Sequence, residues 1–182
     1  FAPPLDCRLI KAGDNDTYEI THNGQRYSLR ISRTNRIHIQ SDDELLFELE
    51  WLQFLQKRGL PTITPIARRD GALFSCIAAP EGRRYAVVFS WAAGENVLDV
   101  DQARIFGETV ARLHLASNDF VSDRKRIRYD LPTLTGRGLS YLISLLHQRR
   151  PEDAKLVTDC VDAAKERIES LVPKGDEWGV IH

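Results

Sequence analysis

The dipeptide Asn23-Gly24 constrains the fold of this chain more than any other pair in it. Both central residues of a type I′ turn need positive φ, which Asn and Gly tolerate best, so the pair predicts a tight hairpin. Its arms are the β-rich stretches 17–21 and 26–31. The second arm alternates, with Tyr27, Leu29 and Ile31 on one side and Ser28 and Arg30 on the other. A further strand at 7–11 precedes the hairpin across the turn Gly13-Asp14-Asn15-Asp16. After a polar connection, Ser41-Asp42-Asp43-Glu44 has the form of a capping box, and its acids suit the positive end of a helix dipole. The helix runs to about Arg58 with Leu45, Glu48, Leu52 and Leu55 in one stripe, and Gly59 and Pro61 stop it.

The middle of the chain returns to strand patterns. Asp70-Gly71 turns into a strand at 72–78, and Pro80-Glu81-Gly82 turns back into the apolar run 85–89, suited to a central strand. One antiparallel sheet of these five strands, with the 41–58 helix packed on it, is the expected first half. Past Ser90-Trp91-Ala92-Ala93-Gly94 a helix begins near Asp99 or Asp101, where Ala103, Phe106, Val110, Leu113 and Ser117 recur at helical spacing. His114 reads as a structural histidine near its end. Residues 118–138 read as irregular, with the basic run Arg124-Lys125-Arg126 and Arg128 turned to solvent, a phosphate or acidic-partner site being the other reading. Two more helices follow: 139–148, apolar through Leu139, Leu142, Ile143 and Leu146, and one from Pro151 to about residue 172. The residues Trp178 to His182 read as a short buried strand running into a histidine.

Composition removes several functional classes. A formal net charge of −1 leaves no basic footprint for nucleic acid and no polybasic membrane anchor. No apolar run approaches the roughly 20 residues that span a bilayer. Cys7, Cys76 and Cys160 are far apart and outside any C-x-x-C spacing, which fits reduced, half-buried thiols of a cytoplasmic protein better than a disulfide or a metal site. The chain has no methionine and starts at Phe1, so residues ahead of Phe1 are expected.

Several segments, in order, resemble the aminoglycoside phosphotransferase and choline kinase-like family, whose fold is protein kinase-like. Asn15 and Tyr18 match its Asn-x-x-Tyr nucleotide loop, and Glu48, Leu52 and Leu55 match its helix pattern. An apolar strand ending in a segment closed by Gly94 is placed like its hinge. Gly107, Ala111, Leu113 and His114 match its Gly-x-x-x-Ala-x-Leu-His segment, and Val180-Ile181-His182 resembles the lead-in to its His-Gly-Asp catalytic loop. The chain departs from the pattern in carrying Arg30 where many relatives have Lys, and in a loop with only Gly13 to cradle phosphate.

The resemblance implies an α+β, protein kinase-like fold: a nucleotide-binding lobe over 1–90 and a hinge with a partial helical lobe over 91–182. It implies ATP and Mg²⁺ as cofactors. Arg30 would reach the α- and β-phosphates, and Glu48 would hold Arg30 in place. Asn15 would lie in the nucleotide loop, Phe89 behind the adenine, and the Ser90 carbonyl and Ala92 amide at its edge. Read alone, Arg30 is equally an exposed strand residue, Glu48 a surface helix residue, and Trp91 core packing in a plain loop. The implied activity is transfer of the γ-phosphate to a hydroxyl of a small molecule (aminoglycoside, choline or homoserine-like) or of a protein. The acceptor-orienting Asp would follow His182 by two residues and the metal ligands would lie later still, so no catalytic or metal residue is nominated. The 182 residues by themselves are then expected to be inactive, with apolar helix faces exposed over 101–172 and poor solubility. A non-catalytic kinase-like binding protein, a Ser/Thr protein kinase of the same fold and an unrelated α+β interaction domain remain as other readings.

Overall fold

The computed structural model describes residues 5–34, 39, 41–94 and 99–171, so the strand anticipated at 178–182 lies outside the described residues. Five strands, β1 (Asp6–Lys11), β2 (Asn15–His22), β3 (Gln25–Ser32), β4 (Ser75–Ala79) and β5 (Gly82–Ser90), form one antiparallel sheet in the order β1-β2-β3-β5-β4. Asn23 and Gly24 adopt φ of 50° and 74°, the left-handed pair that the hairpin requires.

Two strand edges differ from the sequence pattern for identifiable reasons. Asn15 and Asp16, anticipated in a turn, begin β2 instead, opposite Ser32 and Ile31. The Asp16 carboxylate is held there by Arg84 Nη2 at 2.5 Å, which favours an extended ladder over a turn. β4 starts at Ser75 rather than residue 72. The Arg68 amide donates to the Ala72 carbonyl (2.8 Å) and the Arg68 guanidinium to the Phe74 carbonyl (3.2 Å), so these acceptors are taken before the ladder starts. Beyond β4, residues 64–66 continue along the same edge of β5, with Ile66 N–H to the Val88 carbonyl at 2.8 Å and Ser90 N–H to the Thr64 carbonyl at 2.9 Å.

Helix α1 (Asp42–Lys57) carries the anticipated capping box, with the Ser41 hydroxyl accepting from Glu44 N–H and the Glu44 carboxylate from Ser41 N–H. At the other end Gly59 turns the chain at φ 72°. The helix buries Leu45, Leu49, Trp51, Leu52 and Leu55 with Tyr85, Val87 and Phe89 of β5. Helix α2 (Val100–Ser117) starts on Asp99, whose carboxylate accepts from Gln102 N–H. It meets α1 where Trp51 Nε1–H donates to Ser117 Oγ at 2.8 Å.

The chain then runs back along α1. Asp119 pairs with Arg58 at 2.6 Å, Phe120 packs against Phe54 and Phe47 with ring centroids 5.2 and 5.3 Å apart, and Arg124 reaches Glu50 and Asp43. The basic run anticipated in solvent is therefore laid against an acidic helix. α1 has five acids and one base, so a cationic strand of chain beside it relieves repulsion among its own carboxylates. This first compact unit reaches Arg126, and a second begins at Ile127.

In the second unit the anticipated irregular stretch contains a short helix, α3 (Leu131–Thr135), capped by Asp130. Asp130 accepts from Thr133 N–H at 2.9 Å, a local cap signal that the length of the surrounding loop obscures. Gly136 joins it to α4 (Arg137–Arg149); a Cβ there would lie 2.5 Å from the Pro132 carbonyl oxygen. Helix α5 (Pro151–Leu171) completes the unit, in which Ala154 is buried while Leu134, Tyr141, Leu142, Leu156, Ile168 and Leu171 are exposed. All three thiols are exposed rather than half-buried, Cys7 and Cys76 because they sit on the two edge strands of the sheet. No described helix is long and apolar enough to cross a membrane.

Candidate functional site

The site is set by register. Arg30 lies opposite Val87 and Ser28 opposite Phe89, and residues directly opposite each other in an antiparallel pair share a face. Alternation puts Ser28, Arg30, Tyr85, Val87 and Phe89 on the face that receives α1. Asn15 and Thr17, opposite Ser32 and Arg30, join the same face from β2.

Arg30 Nη2 donates to Glu48 Oε1 at 2.5 Å, across 18 residues of sequence. Both side chains are about four-fifths withdrawn from water, at 20% and 18% exposure, so the pair is not a solvated surface contact. The Arg30 guanidinium carbon stands 4.8 Å from the centroid of the Phe89 ring, and Phe89 is 1% exposed. A cation over a buried aromatic face gains from the ring quadrupole, and the ring restricts where the planar fork can turn. Beside the pair is a hollow of about 10 Å³ lined by Arg30, Ser32, Ile39, Leu45, Tyr85 and Val87. That is room for one water and no more. The hollow itself is therefore too small for a nucleotide.

The end of β5 is fixed by its neighbours. Ser90 is doubly tied to Thr64, its amide donating to the Thr64 carbonyl and its hydroxyl accepting from Thr64 N–H, both at 2.9 Å. Trp91 is covered by the Arg26 guanidinium, 3.8 Å from its ring centroid. Arg26 is in turn bonded to Glu19, which also accepts from Arg8 Nη2 at 2.6 Å. Arg8 and then Arg26 hold the Glu19 carboxyl below its ordinary range. Ala92 follows, exposed. Arg30, Glu48 and Phe89 are thus one contacting group, Ser90 and Ala92 lie at the strand end beyond Phe89, and Asn15 is at the far end of β2.

The first turn of α1 carries a second polar group. Tyr85 O–H donates to Asp42 Oδ1 at 2.7 Å, and Arg83 Nη2 reaches the same oxygen at 2.6 Å. The tyrosine bond, with the arginine behind it, lowers the Asp42 carboxyl. Burial and Asp42 together push the Tyr85 phenol up to about 12.

The phosphotransferase enzyme family (APH) matches over residues 6–182. The chain belongs to that family. An uncharacterized protein of Synechocystis sp. is 32% identical over 180 residues, covering 97% of this chain and 49% of the relative. A homoserine kinase of Neisseria meningitidis serogroup B is 28% identical over 162 residues, covering 88% and 49%. Among solved structures, an amicoumacin kinase in complex with AMP-PNP, Ca²⁺ and Ami superposes with a TM-score of 0.73 at 22% identity, over 100% of this chain and 53% of its own. A microcompartment-associated aminopropanol kinase gives a TM-score of 0.63 at 21% identity, over 83% and 54%. The APH chain therefore has an α+β, protein kinase-like fold, and it spans about half the length of the curated relatives it matches.

Within this APH chain, no group of three His, Cys, Asp or Glu side chains among the described residues could hold a metal ion. Two features escaped the sequence reading. One is the Arg26–Trp91 stack, for which hairpin and loop patterns carry no signal. The other is the segment 117–126 along α1, whose signal is present: Asp43, Phe47, Glu50 and Phe54 form a second stripe on α1, opposite Leu45 and Leu52.

Proposed function

We propose that this chain supplies the nucleotide-anchoring part of an ATP- and Mg²⁺-dependent phosphotransferase, a cytoplasmic enzyme that moves the γ-phosphate to a hydroxyl of a small molecule. The observation that carries the reading is the Arg30–Glu48 contact at 2.5 Å, largely withdrawn from water and backed by Phe89, in a chain of this family. Only one of the five N–H donors of a guanidinium is needed for that contact, so the fork, one-fifth exposed, retains the capacity to donate to phosphate oxygens. Glu48 then does for Arg30 what rigid support does for any phosphate clamp, holding the cation in one place before the ligand arrives.

In this reading, residues 1–90 are the nucleotide lobe, and 91–182 the hinge and the beginning of the helical lobe. Phe89 closes the back of the adenine site, the Ser90 carbonyl and Ala92 amide pair with the adenine edge, and Asn15, the first residue of β2, follows directly on the loop over the phosphates. The double tie between Ser90 and Thr64 supports the hinge assignment, because a strand end fixed at its amide and hydroxyl presents the following backbone at constant geometry. Mg²⁺ would arrive on the triphosphate and neutralise the charge shared between its oxygens. For the acceptor we favour a homoserine-like amino alcohol, since homoserine kinases and an aminopropanol kinase are among the similar proteins.

Thermal unfolding with and without ATP–Mg²⁺ tests this. Ligand at about 100 times its dissociation constant stabilises a folded protein by about 2.7 kcal/mol. A clear upward shift of Tm with ATP–Mg²⁺, absent with Mg²⁺ alone, is the expected outcome. No shift at millimolar nucleotide would rule the nucleotide site out.

A further inference from the structure

We infer that the segment 117–126 is a splint that positions α1, and that Arg124 is a positioning residue for the Arg30–Glu48 pair; the inference rests on the nucleotide reading above. Helix α1 is held from two opposite sides. At 100° per residue, Leu45, Glu48, Leu49, Leu52 and Leu55 face the sheet, and Asp43, Phe47, Glu50 and Phe54 face away from it. Each residue on the outer stripe meets the returning segment. Phe54 and Phe47 pack on Phe120, Glu50 accepts from Ser122 Oγ–H at 3.2 Å and Arg124 Nε at 3.1 Å, and Asp43 accepts from Arg124 Nη1 at 3.2 Å and Lys125 N–H at 3.3 Å.

The two runs are antiparallel. Asp119 lies at the C-terminal end of α1, on Arg58, and Arg126 lies at its N-terminal end, on the Glu44 carbonyl at 3.4 Å. One guanidinium, that of Arg124, ties together Asp43 and Glu50, which are seven residues or about 10 Å apart along the axis. Glu48 projects from the stretch between them. The five acids of α1 are therefore all engaged, and by different elements: Asp42 by β5, Glu44 by the helix's own cap, Glu48 by β3, and Asp43 and Glu50 by the splint.

This distribution fixes more than stability. On the sheet side Asp42 ties the first turn of α1 to β5, while the contacts at Leu45 and Leu49 beside Glu48 are apolar and carry no direction. Directional bonds at Asp43 and Glu50 fix the helix along its axis and about it, and so fix where the Glu48 carboxylate meets Arg30. The Arg124 pairs are two-fifths exposed at the guanidinium, and exposed pairs contribute little to global stability. Loss of Arg124 should thus alter the placement of Arg30 more than the folding of the unit.

The test is a double-mutant cycle on the intact protein, reading ATP affinity and Tm for Arg124→Ala, Glu48→Gln and the pair. Arg124→Ala should weaken ATP binding roughly threefold to tenfold, a range typical of residues that act through others, with a shift of Tm that is small beside that of a core substitution. Acceptor affinity should not change. The double variant should bind ATP about as weakly as Glu48→Gln alone, because once Glu48 no longer holds Arg30 its placement ceases to matter. If Arg124→Ala folds poorly, Glu50→Gln, which breaks the same tie from the helix side, should show the same coupling. Unchanged ATP affinity, or losses that simply add, would overturn the splint. Loss on Arg124→Ala and none on Arg30→Ala would instead overturn the nucleotide reading on which it rests.

Discussion

The unit that ends at Arg126 and the one that begins at Ile127 are built on different terms. In the first, ten of the described residues, Leu49, Val87 and Phe89 among them, are buried in one core between sheet and helix. In the second, Ala154 is the one fully buried apolar residue among the described residues; Leu139, Ile143, Leu146, Val157 and Val161 are half-buried, and Leu134, Tyr141, Leu142, Leu156, Ile168 and Leu171 stand exposed. Helix α2 shares that character on its own surface, with Ile105, Phe106 and Leu115 exposed. A half-buried sheet with a capped helix closes a core by itself. Amphipathic helices close one only against each other or against further chain, so their stability depends on what their apolar faces meet.

That contrast can be broken most directly by truncating one leucine in each unit. Leu49→Ala, at a site with 0% exposure, should cost about 3 kcal/mol or more in denaturant unfolding of the first unit. Leu156→Ala, 61% exposed on α5, should stay within about 0.5 kcal/mol. Equal losses would mean that the α4–α5 unit has a core of comparable weight.

A smaller effect sharpens the comparison at the helix caps. Ser41→Ala removes half of a capping box on a 16-residue helix that carries Glu48, and should cost about 1 kcal/mol. Asp130→Ala, capping the five-residue α3, should change global stability less, because fewer helical residues depend on that cap. Circular dichroism across a denaturant series would rank the two.

The smallest effect is confined to alkaline pH. Tyr85 has its folded pKa raised to about 12, above the usual value near 10. A raised folded value means that the contribution is complete below pH 10 and fades as pH rises through 12. Tyr85→Phe should therefore lose a modest margin at neutral pH and fall less steeply than the wild type between those limits. Asp42, lowered by Tyr85 and Arg83, works at the opposite end: its contribution is present above the ordinary carboxylate range and fades as acid protonates it. A phenol titrating near its ordinary value in difference absorbance would contradict the part-buried Tyr85–Asp42 bond.

Much of the first unit was legible in the sequence because its signals are local. Asn23-Gly24 fixes one hairpin, Ser41 and Glu44 fix a helix start, and the alternation from Tyr27 to Ile31 places Arg30 on the face opposite Leu29. The meeting of Arg30 with Glu48 was reached through the family resemblance rather than from spacing, since nothing local measures a distance across 18 residues. The extension of β2 back to Asn15 depends on Arg84, 68 residues from Asp16, and no turn rule contains it. The splint is the most instructive omission. A basic run in an irregular stretch reads as solvated unless the acidic outer stripe of α1 is read as its partner, and that pairing exists only once α2 has turned the chain back.

The central claim is that Arg30, held by Glu48 and backed by Phe89, is where this chain grips a nucleotide. Isothermal titration of ATP–Mg²⁺ into the intact wild-type protein and into Arg30→Ala tests it most directly, with Tm measured alongside. The account predicts at least a tenfold loss of affinity, or about 1.4 kcal/mol, while the ligand-free Tm falls by only a few degrees. Equal affinity in the two proteins, with Arg30→Ala folded, would contradict it.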